Sequence, residues 1–300
     1  MTAEAAMRIW RELRETSMSR GCRVHITGGE VFGNWELLIE ILNRAKNEKL
    51  TPLDKVETNA FWATDDAIIR ERIKALDAFG MRKLGISSDP FHQQFVPIEN
   101  PRRLARIATE ILGATRVQIR WADFLHSSNP LSFDFSTQKS SDSCRDAITS
   151  WVSEKHERLT GRAGEILARC LPQHPVESFT GQNCREGLMR GKHVHIFPQG
   201  HIFPGVCAGI VLGNTAKMSI PEIREKIKNN YSDRPVLGTL VRGGPVELLD
   251  VAKGFGFEPQ STYASKCHLC WKIRKYLVNA GLFSDELAPA EMYENAVFQT

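Results

Sequence analysis

The stretch Arg23-Val24-His25-Ile26-Thr27-Gly28-Gly29-Glu30 decides the fold. Val24 and Ile26 alternate with polar neighbours, the period-two pattern of a strand, and the strand runs directly into paired glycines and a carboxylate. Gly28 and Gly29 allow a tight turn and close backbone approach to a ligand, and Glu30 presents an acceptor at the strand's carboxyl end. In parallel α/β folds that edge is where small molecules bind, and a carboxylate placed there suits an ammonium group. An ordinary strand-to-helix turn has the same local composition.

Outward from this stretch, the chain repeats one unit. Residues 3–17 read as a helix with Met7, Ile9, Trp10 and Leu13 on an apolar face. Asn34 is a good N-cap for a helix carrying Leu37, Leu38, Ile41 and Leu42. A strand follows at 55–60, then a helix capped by Thr64, with Asp65 and Asp66 in its first turn and Gly80 at its end. Residues 83–87 are strand again, Asn100-Pro101 opens a helix closed by Gly113, and 116–121 is the fourth strand. Strand starts at 23, 55, 83 and 116 lie roughly 30 residues apart, the spacing of right-handed β-α units that build a parallel sheet or barrel. Strand-end residues then share one rim, and Glu30, Asn59, Ser87, Asp89 and Arg120 would gather around one ligand. The plain alternative is that these are caps and turn formers, since Asn, Ser and Asp favour such positions anyway.

Composition sets the outer bounds. Across 300 residues, 42% hydrophobic and 25% charged is ordinary globular composition. A net charge of +4, from 39 basic and 35 acidic side chains, does not single out nucleic acid as a partner. No apolar run approaches the ~18 residues of a membrane span. The amphipathic, Glu-bearing start is no signal peptide, so a cytoplasmic protein is expected. Its seven cysteines are then reduced thiols or metal ligands.

Residues 126–143 are polar and turn-rich, and helical pattern runs from about 145 to 171 with interruptions near Gly161 and Gly164. The last third has another texture. Residues 193–203 alternate around Pro198-Gln199-Gly200, the signature of a hairpin. Helices are expected at 220–229 behind Ser219, at 245–255, and from Cys267-His268-Leu269-Cys270 onward. A Cys-x-x-Cys pair converges two thiolates from one turn onto a metal or cluster, and Cys184 and Cys207 complete four ligands. Zinc takes the same donors. Cys22, Cys144 and Cys170 have no partner spacing and read as small core or helix residues. His92 reads as a turn-packing residue that could also face substrate, and His193, His195 and His201 as solvated strand-face residues.

The strand-Gly-Gly-Glu run resembles the second strand of radical S-adenosylmethionine (SAM) enzymes, whose Gly-Gly-Glu binds the methionine amino group of that cofactor. Glu57-Thr58-Asn59, Ile86-Ser87-Ser88-Asp89-Pro90-Phe91-His92 and Gln118-Ile119-Arg120-Trp121 look like the family's next strand ends, so the likeness covers residues 3 to 125. It implies that Gly28 and Gly29 shape the turn, Glu30 accepts the SAM ammonium, Asn59 joins the cofactor site, Ser87 and Asp89 meet the ribose hydroxyls, and Arg120 meets the carboxylate. The spacing of Cys184, Gly200 and Cys207, with Leu212-Gly213-Asn214 and Ser219-Ile220-Pro221-Glu222-Ile223, is similar to the auxiliary-cluster modules (SPASM and twitch) of many such enzymes. The family's Cys-x3-Cys-x2-Cys loop, which holds the reducing cluster after the first strand, has no counterpart in these 300 residues.

The expected architecture is therefore α/β: a partial (β/α) barrel lacking its first strand (1–125), a loop and helical connection (126–176), and a small α+β cysteine module (177–300). The resemblance implies a radical SAM-type iron–sulfur protein with SAM and an auxiliary [4Fe–4S] cluster, modifying a peptide or other small substrate, with catalysis depending on the missing loop. Another polypeptide, or residues upstream of Met1, would supply the first strand. The rival class is a non-catalytic metalloprotein, zinc-stabilised or a degenerate scaffold.

Overall fold

The computed structural model describes residues 1–17, 23–50, 53–126, 133–134, 139–140, 142–154 and 158–294. Cys22 lies outside them. The chain divides into two compact units, Met1–Ala147 and Ile148–Thr300, so the connecting segment 126–176 is shared between them.

Hydrophobic alternation in the first unit builds a parallel sheet of β1 (Val24–Ile26), β2 (Leu53–Thr58), β3 (Lys83–Ser87) and β4 (Val117–Arg120), side by side in chain order. The helices are α1 (Ala3–Ser17), α2 (Trp35–Asn47), α3 (Asp66–Ala78), the short α4 (Pro90–Gln93), α5 (Glu99–Leu112) and α6 (Ala122–His126). Ile26, Val56, Leu84 and Val117 stand in one cross-sheet row. They belong to a single core with Met7 and Trp10 of α1, Leu38 of α2, Ile69 of α3 and Leu104 of α5. Burial of each such side chain is worth about 1.5–3 kcal/mol. The neighbouring row is His25, Lys55 and Lys83, and the next holds Glu57 and Gln118. One face of the sheet is thus apolar and packed by helices, and the other is polar.

The caps follow local chemistry with two corrections. Asn34 accepts from the Leu37 amide at 3.1 Å, as the sequence predicts. The α3 cap is Asp65 instead of Thr64, because its carboxylate reaches both the Ala67 and Ile68 amides. Asn100 lies inside α5, which begins at Glu99, and its carboxamide donates to the Phe61 carbonyl at 3.2 Å. Pro101 still falls in the first turn, where its missing N–H costs nothing.

Two-residue strands β5 (Phe133–Asp134) and β6 (Lys139–Ser140) pair within the turn-rich segment, and α7 (Asp142–Glu154) follows. The expected long helix is two. The second, α8 (Gly161–Ile166), starts at a glycine with φ +57°, a backbone state that ends any helix arriving from upstream, while Gly164 sits within it.

The second unit contains α8, α9 (Arg185–Met189), α10 (Ile220–Asn230), α11 (Pro235–Arg242), α12 (Pro245–Lys253) and α13 (Lys266–Asn279). Its strands are β7 (His174–Pro175), β8 (Val194–Ile196), β9 (His201–Pro204), β10 (Gly213–Asn214) and β11 (Thr262–Tyr263). The hairpin of β8 and β9 turns at Gly200, whose φ is +86°, and β10 adds a third antiparallel strand. Ser219 and Glu222 form a reciprocal capping box on α10. The buried Glu286 carboxylate accepts from the Val236 and Leu237 amides at the start of α11. Among the described residues no helix is long and apolar enough to cross a membrane.

Helix α13 is pinned to α8 by one carboxylate. Glu165 accepts from Trp271 Nε1 at 3.0 Å and Lys275 Nζ at 3.1 Å, and pairs with Lys272. Burial opposes its charge, but the two lysines and the indole hold it down at about 2, against an ordinary 4.5. A depressed carboxylate stabilises the fold above its unfolded pKa and loses that contribution as pH falls through the folded value. The urea midpoint of wild type should therefore exceed that of Glu165→Gln at pH 7, and the gap should close as pH falls from about 4.5 toward 2. A gap independent of pH would remove the ion pairs as its cause.

Candidate functional site

The β1 stretch ends as its composition requires. Gly28 and Gly29 have φ of +94° and +55°, both in the left-handed region. A Cβ at either would meet nothing within 4 Å, so the turn is glycine for its backbone and leaves open space above it. Glu30 Oε1 accepts from the Thr58 hydroxyl at 2.9 Å and the Phe32 amide at 3.1 Å, and Oε2 from the Asn59 amide at 2.7 Å. The carboxylate thus ties the ends of β1 and β2 together. A carboxylate offers about four lone-pair positions, so one more donor can be received. Thr58 completes the joint by accepting from the Ala60 amide and Trp62 Nε1.

A second cluster stands beyond β3 and β4. Asp89 caps α4, accepting from the Phe91 and His92 amides, and its other oxygen meets His92 Nδ1 at 2.6 Å. Burial opposes the Asp89 charge, yet His92 and Arg120 hold its pKa below the ordinary value. Burial likewise opposes a charged His92, and the Asp89 carboxylate, assisted by Glu30, outweighs it and raises the histidine. Ser87 is half-buried and pairs in register with Arg120. The buried Ser88 hydroxyl bonds to the carbonyls of Arg120 and Trp121. The rim therefore places Glu30 and Asn59 in one hydrogen-bonded group and Asp89 and His92 in another, with Arg120 acting on the second. The Asn59 side chain serves its own turn, accepting from the Phe61 amide. Non-glycine residues with φ near +60° follow two of the rim positions, Ala60 (65°) and Trp121 (61°). Such backbone strain persists only where surrounding bonds fix it.

On the polar sheet face, Glu57 takes Thr27 Oγ1 at 2.8 Å, Lys55 Nζ at 2.5 Å and His25 Nε2 at 3.4 Å. Burial opposes its charge, and His25 and Lys55 hold its pKa far below the carboxylate range. This group escaped the sequence reading because its members alternate on two strands far apart in sequence.

The four cysteines singled out in the sequence line one small cavity of the second unit. Cys184 precedes α9, Cys207 follows β9, and Cys267 and Cys270 occupy the first turns of α13. A helix N-terminus favours thiolate charge. Burial pushes Cys184 up to about 12 and Cys207 up to about 11, each raised further by neighbouring thiols, and burial also raises Cys267. Four thiolates cannot stand together here unless cations offset them. Arg158, Lys266 and Arg274 line the same cavity. The sulfurs share that space without meeting in ligand geometry: among the described residues no three His, Cys, Asp or Glu side chains are set to hold a metal ion. The donor set and the charge around it fit a tetrathiolate metal or cluster. Cys144 is buried and Cys170 half-buried, and neither is among the residues lining this cavity.

No family model matches the chain, and no curated protein matches it.

Because Asp89 is the charge that raises His92, Asp89→Asn should lower the His92 titration midpoint followed by NMR of its ring protons. An unmoved or higher midpoint would show that the pair does not form in solution.

Proposed function

We propose that this chain is a radical SAM-type iron–sulfur protein acting in the modification of a peptide or small molecule. The observation that carries the reading is the convergence of Cys184, Cys207, Cys267 and Cys270, from three separate segments, on one cation-lined cavity. Such a site suits an auxiliary [4Fe–4S] cluster, which supplies one-electron chemistry when bound. The C-terminal unit is then a SPASM/twitch-like module.

In the first unit, parallel strands in chain order, with helices sharing one core on one face, support a partial (β/α) barrel whose polar face is the interior. Gly28 and Gly29 form the open floor of the cofactor site, and Glu30 holds an acceptor toward the SAM ammonium. Ser87, Asp89 and Arg120 would serve the ribose and carboxylate ends, with Asn59 fixing Glu30 through its amide. β1 stands at a sheet edge, where a further parallel strand bearing the Cys-x3-Cys-x2-Cys loop can add, supplied by a partner polypeptide.

Zinc bound by the same four thiolates, in a non-catalytic scaffold, is the second reading, favoured by the closed four-cysteine donor set. Metal analysis separates the two. Anaerobically reconstituted wild type should carry iron and sulfide with broad visible absorption, and both should vanish in the Cys267→Ala, Cys270→Ala double variant. Stoichiometric zinc with no iron would sink the cluster and leave the scaffold.

The rim has its own test. Glu30→Gln should weaken SAM binding by about 1.5–3 kcal/mol, the range for a hydrogen bond to a charged group. Calorimetry giving equal affinity for the two chains would remove Glu30 from the site.

A further inference from the structure

Arg274 is among the most deeply buried side chains of the second unit, at 1% exposure. It lies on α13 four residues beyond Cys270 and seven beyond Cys267, so all three share one helical face. Its Nη1 donates to the Ala208 carbonyl and to Tyr293 Oη, each at 2.8 Å. Tyr293 Oη in turn donates to the Gly209 carbonyl at 2.7 Å, so the phenol keeps its proton and brings no negative charge. The guanidinium also faces the rings of Trp271 and Tyr293, each 5.5 Å away and stacked on one another. Gly209 is matched to this packing, since a Cβ there would stand 2.3 Å from Tyr293 Oη.

What this assembly lacks is an anion. Among the described residues no carboxylate pairs with Arg274, and its buried Nε has no hydrogen-bond partner. An isolated buried cation is costly, and a guanidinium cannot shed its proton to escape the cost. Arg274 lines one cavity with all four cysteines, and besides the Tyr293 hydroxyl the groups that act on it are the sulfurs of Cys270 and Cys207. Four thiolates around zinc, or around an oxidised [4Fe–4S] core, carry a net negative charge of the required sign.

We propose that Arg274 is the built-in counter-ion of the cysteine centre, held by Ala208, Tyr293 and Trp271 so that its positive charge favours metal loading and raises the centre's reduction potential. This rests on the cysteine-centre reading above and adds a positioning residue to it. A fixed cation stabilises the more negative, reduced centre more than the oxidised one, so removing it lowers the potential.

The test compares wild type with Arg274→Gln, Arg274→Met and Arg274→Lys. Each chain is reconstituted with iron and sulfide, its midpoint potential is followed by electron paramagnetic resonance, and its affinity for Co2+ alone is measured by thiolate-to-metal absorption. The neutral variants should load with a more negative potential and bind Co2+ about 10–100-fold more weakly, the range for lost outer-shell partners. The lysine variant should stay near wild type in both. Neutral variants that fail to fold beside a lysine variant that folds and loads would also support a charge requirement. Neutral variants with wild-type potential and Co2+ affinity would overturn the inference while leaving the cysteine centre standing, and so would three variants that all fail to fold. Wild type that takes Co2+ but no iron ends the cluster reading alone, with Co2+ affinity then deciding on Arg274. Wild type that takes neither ends both.

Discussion

The handedness of the β-α crossover governs the first unit. Four parallel strands laid side by side in chain order, joined by crossovers that share the usual right hand, send the joining helices to the same face. That face must be apolar, which fixes the row Ile26, Val56, Leu84 and Val117. The opposite face is released from core duty and can hold His25, Lys55 and Glu57. The same rule aligns the strand ends, so Glu30, Asp89 and Arg120 reach one rim without any contact between their own segments in the sequence. Chemistry at the rim is a consequence of winding direction.

Charge plays the corresponding part in the second unit. An apolar core around Leu237, Leu240, Leu248 and Ile273 closes over four thiols and a guanidinium. Either group alone would be unfavourable there. Buried thiolates repel one another, and a buried guanidinium has no neutral form. The thiols escape the cost by keeping their protons, whereas the guanidinium cannot, so ionised thiolates and Arg274 would offset one another only once a metal deprotonates the cysteines. Glu165 extends the same logic to the outside of α13, where two lysines and an indole fix the helix that presents Cys267 and Cys270.

Much of this was legible in the sequence, and the parts that were not have a common cause. Local signals marked α1, the four parallel strands, the hairpin at Gly200 and the Ser219 cap of α10, though not the reciprocal bond from Glu222. Cys-x-x-Cys spacing and the strand-end residues were legible for the same reason. The cap positions slipped by a residue or two because Thr64 and Asp65 are both competent, and only the backbone decides which carboxylate or hydroxyl reaches the free amides. The pairing of β7 with β11 and the bonds of Glu57 were invisible, since each joins short, distant segments. Arg274 did leave a trace. Its spacing of four from Cys270 on one helical face is readable, but an arginine on a helix is usually solvated, and nothing local announces its burial.

The two centres differ in how much of the work their own unit performs. At the rim, Glu30 offers an ammonium one more hydrogen bond, about 1.5–3 kcal/mol, against an association cost of about 4–15 kcal/mol. It can orient a ligand but cannot hold one unaided, and under the proposed reading the remainder would fall to Asp89, Arg120 and the added strand. The cysteine cavity has no such debt, because all four donors and their compensating cations lie within Ile148–Thr300. The proposed metal site therefore lies within the second unit alone, and the proposed SAM site within the first. A chain that binds iron yet hardly binds SAM would be behaving as these energies require.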